Sequence, residues 1–527
     1  MCIRDRRTHT KDFYWQWDNM LKWNKTFGKH AFDFTFLANW EKFQRWHDEM
    51  TNENFLPTDE LGYGGIGFGT SPNVSSDDVY RTGDAFMGRL HYVYDQRYLI
   101  TATVRRDGYS AFGLANPRAT FPAIALGWVF SEEKFLHRPD WFEYGKLRLS
   151  WGKNGNRAVG TYAAFMQLAP RKYIYVDPAT GSLVTANTFY ASTMANPNLK
   201  WESTTSWNIG TDLTFLKGRL SANLDVYKKI TTDLLVSREL PSLIGYSSVM
   251  SNIGEVQNTG VELSLNSTNI RMDKLTWRTS FSLAYNKNKI THLYGIMEDV
   301  KDADGNVIGQ READDIKNKR FIGHDIDEIW DYKVVGIWQG EEREEAAKYG
   351  QQPGDVHLLD KDMNYKYDNT DKEFQGTTMP RLRWSMRNDF TLFKNFNISF
   401  NMYSYIGHKK TLGRFTNDNA LLNVTNQIKR DYWTPENRNN EYPRLANKKP
   451  AGVSYAIYKN ASFLRFDNIS IGYTFPKKLI EPLRIQNLNV NATMKNAGYI
   501  SGWPGYDPEN SDANTPRVIY FGINLTL

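Results

Sequence analysis

The sequence predicts an all-β fold, an antiparallel sheet of the kind that closes into a transmembrane barrel. Three observations carry this. Segments of about ten residues alternate apolar and polar side chains. Short turns alternate with long polar loops. Aromatic residues make up 14% of the 527-residue chain, with 30 Tyr, 29 Phe and 16 Trp, which excludes disorder.

The alternation repeats along the chain. "YLITATVRRDG" sets Tyr98, Ile100, Ala102 and Val104 against Thr101, Thr103 and Arg105. "GKLRLSWG" sets Leu147, Leu149 and Trp151 against Lys146, Arg148 and Ser150. "GRLSANLDVYKK" places Leu220, Ala222, Leu224 and Val226 on one face, and Arg219, Ser221, Asn223 and Asp225 on the other. "TGVELSLN", "KLTWRTSFSLAY" and "NLNVNATM" follow the same rule, as does the terminal "VIYFGINLTL". The count comes to about 15 strands. "FLKG" at 215–218 and "NIRMDK" at 269–274 are short enough for hairpin turns. Long connections are expected near 45–79, 154–200, 288–378 and 409–460.

Full charges in mid-strand, such as Arg219, Asp225 and Arg278, suit a wet lumen or a solvated sandwich face. Periodicity alone leaves both open; strand number, aromatic load and loop asymmetry favour the barrel. Trp15, Trp17, Trp23, Trp128, Trp151 and Trp384 fit interfacial girdles or ordinary packing equally well. The longest apolar stretch, 121–130, contains Pro122 and is far short of the roughly 20 residues of a spanning helix. A net charge of +6 with no basic block points away from nucleic acid. The single cysteine, Cys2, excludes an intrachain disulfide.

Several segments together resemble the SusC/RagA family of TonB-dependent outer-membrane transporters of Bacteroidetes. They are "YLITATVRRDGYSAFG", "ATFPAIALGWVFSEEKFL", "GKLRLSWGKNGN" and "NPNLKWESTTSWNIGTDLTFLKGRLSANLDVYKKITTDLL", followed in the family's order by "NTGVELSLN", "PGDVHLLDKD", "YWTPENRNNEYPRL", "FLRFDNISIGYTFP" and "GYDPE". The resemblance implies a barrel of about 22 strands in the outer membrane. It implies import of oligosaccharides or peptides, a SusD-like lid lipoprotein, and a plug and N-terminal extension that reaches the TonB complex. We therefore expect residues 1–6 to be extraneous and 7–527 to form the C-terminal part of the barrel, about 15 of 22 strands, without plug or extension. The expected surroundings are lipid outside and a polar lumen inside. A passive porin-like or structural barrel, or a secreted β-sandwich enzyme acting on glycans, are the alternatives.

"DKDMNYKYDNTD" places Asp360, Asp362, Asn364, Asp368 and Asp371 at spacings like a calcium loop. Tyr365 replaces the usual glycine and Asp371 the usual Glu, and the bland reading is a polar turn. "GYGGIGFG" contains a literal G-x-G-x-x-G (Gly62, Gly64, Gly67), but its surroundings are loop-like, so it reads as a loop and not a dinucleotide site. "EEREEAAKYG" reads as a short helix with a solvated face. No histidine pair, nucleophile elbow or phosphate loop marks a catalytic site, and no enzyme activity is expected.

Overall fold

The computed structural model describes residues 4–55, 62–246, 248–302, 304–411, 431–445, 447–510 and 513–527. All of "MCI" at the start, Cys2 included, and much of the 409–460 connection lie outside the described residues.

The strands run in chain order. β1 (Arg4–Phe27), β2 (His30–Glu53), β3 (Asn73–Tyr94), β4 (Tyr98–Tyr109), β5 (Arg118–Trp128) and β6 (Phe142–Asn156) open the wall. A separate hairpin, β7 (Gln167–Val176) and β8 (Leu183–Thr193), interrupts it. β9 (Glu202–Phe215) and β10 (Leu220–Thr232) resume the wall, and a second hairpin, β11 (Leu235–Glu239) and β12 (Ser248–Asn252), follows. After β13 (Glu255–Arg271) and β14 (Leu275–His292) comes a folded excursion. It holds β15 (Met297–Lys301), β16 (Val307–Glu312), β17 (Glu328–Tyr332), β18 (Val334–Ile337), the helix α1 (Arg343–Lys348), β19 (Val356–Leu358) and β20 (Lys372–Thr377). β21 (Leu382–Leu392) and β22 (Phe396–Ile406) return to the wall, the short pair β23 (Lys409–Thr411) and β24 (Tyr458–Asn460) leaves it, and β25 (Phe463–Thr474), β26 (Asn487–Ser501) and β27 (Val518–Thr526) finish it.

Fifteen strands make one antiparallel sheet, in the order β1-β2-β3-β4-β5-β6-β9-β10-β13-β14-β21-β22-β25-β26-β27. Each wall strand therefore pairs with its neighbour in sequence once the hairpins are set aside. β27 pairs with β26, Asn487 opposite Thr526 through Lys495 opposite Val518. Among the described residues β1 and β27 each have one strand neighbour. The first described residues are in this ladder, with Arg4 opposite Glu53 and Arg6 opposite Thr51.

Turn chemistry sorts the two ends. At one end the turns are tight: Leu216, Lys217 and Gly218 after β9 all have positive φ, as do Phe393 and Lys394 after β21. At the other end lie the long connections. The expected 45–79 connection is shorter than its composition suggests, because β2 and β3 stay in register through Thr51 opposite Asn73. A strand of 24 residues spans about 80 Å at roughly 3.4 Å per residue, far more than a ~25 Å apolar band, so its loop end stands clear of the bilayer and carries polar groups on both faces. "GYGGIGF" forms a 3-10 turn in the remaining loop, and "EEREEAAKYG" contains α1 as expected.

Register shows that alternate residues keep one face apolar across the wall. On that face Ile209 is 56% exposed, Val226 47% and Leu224 39%, with Ile100, Val104, Ile124, Leu126 and Leu149 also exposed. A contiguous face of this kind is unstable in water and stable against lipid. Aromatic pairs bound it. Toward the loops stand Trp17–Trp40 (5.4 Å), Trp40–Phe86 (5.7 Å) and Trp151–Trp207 (6.0 Å). Toward the tight turns stand Phe32–Tyr92 (4.9 Å), Tyr94–Tyr98 (6.3 Å), Trp141–Phe215 (6.0 Å) and Trp277–Phe390 (5.5 Å). Phe86 to Tyr94 on β3 measures about 27 Å at roughly 3.4 Å per residue, close to an apolar membrane band. Charged neighbours such as Asp84, paired with Arg118 at 2.9 Å, begin beside the loop-side ring.

Candidate functional site: the polar wall and its mouth

The opposite face of the same strands is polar and lines a hollow. One part, about 830 Å³, is bordered by Asp18, Asn39, Glu41, Arg105, Asp107 and Arg157. Its side chains are paired with one another: Asn39 Nδ2 donates across strands to Asp18 (2.6 Å), Arg105 Nε to Asp107 along β4 (2.9 Å), and Arg157, just after β6, to Glu41 on β2.

Farther along, Arg148 on β6 bonds Asp212 on β9 (3.0 Å) and also Asp225 on β10 (2.9 Å), and Asn223 donates to Asp212 (2.8 Å). Arg148 and Asp225 are two strands apart, and the residue between them is Gly210. A Cβ there would sit 2.4 Å from Asp225 Oδ1 and 2.7 Å from Arg148 Nη2, so the missing side chain is what lets the pair meet. Tyr227 and Asn286 use the same device, meeting at 3.1 Å over Gly260. Gly210→Val is expected to push Arg148 off Asp225 while the chain still assembles. The pair is about a quarter to a third exposed, so the cost should stay near or below ~1 kcal/mol. A double-mutant cycle with Asp225→Asn measures it, and a loss well above ~1 kcal/mol would contradict the assignment.

The loop end is a folded platform, and its parts are the segments quoted above. Phe112 of "RRDGYSAFG" stacks on Trp201 of "NPNLKWE" at 4.8 Å, beside fully buried Leu199. Asp355 of "PGDVHLLDKD", with no exposed surface, accepts from Arg444 of "YWTPENRNNEYPRL" (2.7 Å) and from the Lys448 N–H (2.8 Å). Arg465 of "FLRFDNISIGYTFP" and Asp507 of "GYDPE" form a buried ion pair at 2.6 Å, 3% and 1% exposed. A core of Tyr332, Ile337, Val356, Leu358, Trp433, Tyr455, Ile457 and Trp503 joins the excursion to the segments before β25 and after β26. Sequence reading missed all three ties, since nothing in the spacing of these motifs names their partners.

The candidate calcium loop is brought together only in part. Asp360, Asp362 and Asp371 each place a carboxylate oxygen within 4.8 Å of the others. Asp371 is fully buried and accepts from the N–H groups of Lys361 (2.8 Å) and Asp368 (2.9 Å). Asp360 accepts from the Tyr349 hydroxyl at 3.0 Å. Loss of solvation, and the shared position with Asp360, push the Asp362 carboxyl up. Asn364 and Asp368 are turned to local tasks: Asn364 donates to Asp362 (2.8 Å) and accepts from the Lys366 N–H, and Asp368 accepts from Thr370 (2.7 Å). Gly62, Gly64 and Gly67 remain in their loop, far in the chain from any strand-turn-helix unit.

A wall with one lipid face, one polar hollow and a folded mouth matches a known family model, "TonB dependent receptor-like, beta-barrel", over residues 3–497. The chain belongs to that family. Within it the SusC/RagA relationship holds. TonB-dependent receptor SusC of Bacteroides thetaiotaomicron is 32% identical over 84% of this chain and 43% of its own length. TonB-dependent receptor P3 of Formosa agariphila is 29% identical over 94% of this chain and 49% of its own. The solved RagAB peptide transporter superposes with a TM-score of 0.76 at 21% identity, covering 99% of this chain and 56% of that one. The chain spans about half the length of the curated relatives it matches. The relatives are receptors, not enzymes, and barrels of this family lie in the outer membrane; the tight turns then mark the inner side and the mouth the outer one.

Proposed function

We propose that the chain supplies part of the barrel wall and the outer mouth of a TonB-dependent importer of oligosaccharides or peptides, working with a SusD-like surface lipoprotein as its lid and drawing energy through the TonB complex. The observation that carries this is the two-faced wall: lipid-facing apolar side chains, and behind them a face carrying clusters of paired charges and amides that a hydrophilic solute can pass. The β7–β8 hairpin supports a lid, because it holds Leu168, Tyr173, Ile174, Leu183 and Phe189 exposed beyond the wall. Disrupting the gene is expected to abolish accumulation of an oligosaccharide or peptide nutrient, and a protonophore to do the same in the intact strain. Accumulation that ignores the protonophore would favour the porin-like alternative.

Calcium enters this proposal as a brace for the mouth, held by Asp360, Asp362 and Asp371; three converging carboxylates are a donor set for a hard cation. Calcium is expected to raise the unfolding temperature of the chain and to lose that effect in Asp362→Asn, whose side chain is exposed. Equal shifts in both would remove the site.

A further inference from the structure

Above the polar wall, the mouth contains a cleft of about 880 Å³ between the β11–β12 hairpin and the segment 290–326. Its floor is aliphatic: Leu234, Val236, Ile253, Val256, Ile290 and Ile326 line it, and Val256 and Ile290 are 8% and 2% exposed. The polar groups near it are largely engaged with one another. Tyr294 donates to Asp315 (2.7 Å), Arg320 to the Ile326 carbonyl (2.6 Å), and Lys317 pairs with Glu239 at the rim.

Val236 and Ser237 both line the cleft. Adjacent strand residues point to opposite faces, so a strand that offers both to one cavity presents its edge there. β12 is the sole strand neighbour of β11 among the described residues. β12 is held in turn by the segment 196–200, where Asn196 Nδ2 donates to the Met250 carbonyl (2.8 Å) and Asn252 bonds the Lys200 backbone. The hairpin is thus fixed on the β12 side. On the other edge of β11 the Leu235 N–H is taken by Glu202 (3.3 Å), so the edge offered to the cleft starts at Val236 and Ser237, with Ser248 of β12 also in the lining.

Resting on the uptake reading, we propose that this cleft takes an extended peptide that adds to the edge of β11 and buries an aliphatic side chain against Ile253, Val256 and Ile290. Strand addition gives affinity through main-chain hydrogen bonds and specificity through pockets for alternate side chains, which is the pairing of features present here. A glycan fits this floor poorly. Its hydroxyls would lie against aliphatic side chains without partners, each at the cost of an unpaired buried polar group. Tyr294 is the sole large aromatic ring of the described lining.

The test uses the full chain refolded in detergent, with heat-modifiable gel mobility as the folding control. It is titrated with a fluorescent Val/Thr hexapeptide, with the same peptide N-methylated at alternate amides, and with a linear glucan of similar length. The plain peptide is expected to bind, N-methylation to weaken it at least about tenfold through lost main-chain bonds, and Val236→Arg to abolish binding while heat-modifiability persists. Glucan binding lost in Val236→Arg, with no peptide binding, overturns the peptide assignment and leaves the uptake reading standing. No binding of either class by a heat-modifiable chain overturns both. Equal binding of plain and N-methylated peptide overturns strand addition.

Discussion

Leu224→Arg is expected to stop membrane assembly of this chain, while Asn223→Arg, one residue away, is expected to leave it intact. Leu224 lies on the apolar face of β10, opposite Thr211 on β9 and Leu263 on β13, about midway between the tight turn after Gly218 and the level of Trp207. Arginine on a barrel's lipid face costs roughly 2–4 kcal/mol near the midplane and almost nothing at the interfaces. Asn223 is on the polar face and already touches Asp212, which would accept a guanidinium as readily as an amide. The readout is the heat-modifiable fraction after refolding into lipid vesicles. Equal yields from the two variants would mean that β10 does not face lipid on one side.

Arg465→Ala is expected to cost about 3–5 kcal/mol of mouth stability, because it leaves Asp507 charged, buried and unpaired. Lysine should not rescue it, since Arg465 reaches Asp507, Glu509 and Asn496 from one planar group. Burial pushes the Asp507 carboxyl up, but hydrogen bonds from Thr515, the Glu509 N–H and Arg465 pull it further down, and it ends below the usual carboxylate range. Its folded-state pKa is therefore below its unfolded value near ~3.9, so its contribution is complete above that pH and is lost as pH falls through the folded value. Limited proteolysis of segment 502–517 from pH 7 down to pH 3 measures this. Wild type should become susceptible only at the acid end, and Arg465→Ala at every pH. A variant as resistant as wild type at pH 7 would show that the pair does not hold the mouth.

The wall was legible in the sequence because lipid on one face and water on the other impose a period of two on every strand that crosses. That rule stops at the bilayer. Residues 45–53 and 73–79 are strand, yet polar groups such as Arg45, Asp48, Asp77 and Asp78 fall on both faces there, and composition alone suggests a loop. The mouth was legible only as a set of motifs. Asp355 and Arg444 are 89 residues apart, and Arg465 and Asp507 are 42 apart, so their pairing depends on how the excursion folds. The calcium loop illustrates the same limit: spacing suggested five ligands, and backbone turns direct Asn364 and Asp368 elsewhere.

A cysteine scan along β10 tests the central claim most directly. With Cys2, the single native cysteine, changed to serine, single cysteines at 220–227 are labelled in vesicles and quenched by lipid-phase or water-soluble agents. Positions 220, 222, 224 and 226 should respond to the lipid quencher, and 221, 223, 225 and 227 to the aqueous one. A profile without the period of two, or with the two sets reversed, would contradict the wall described for this chain.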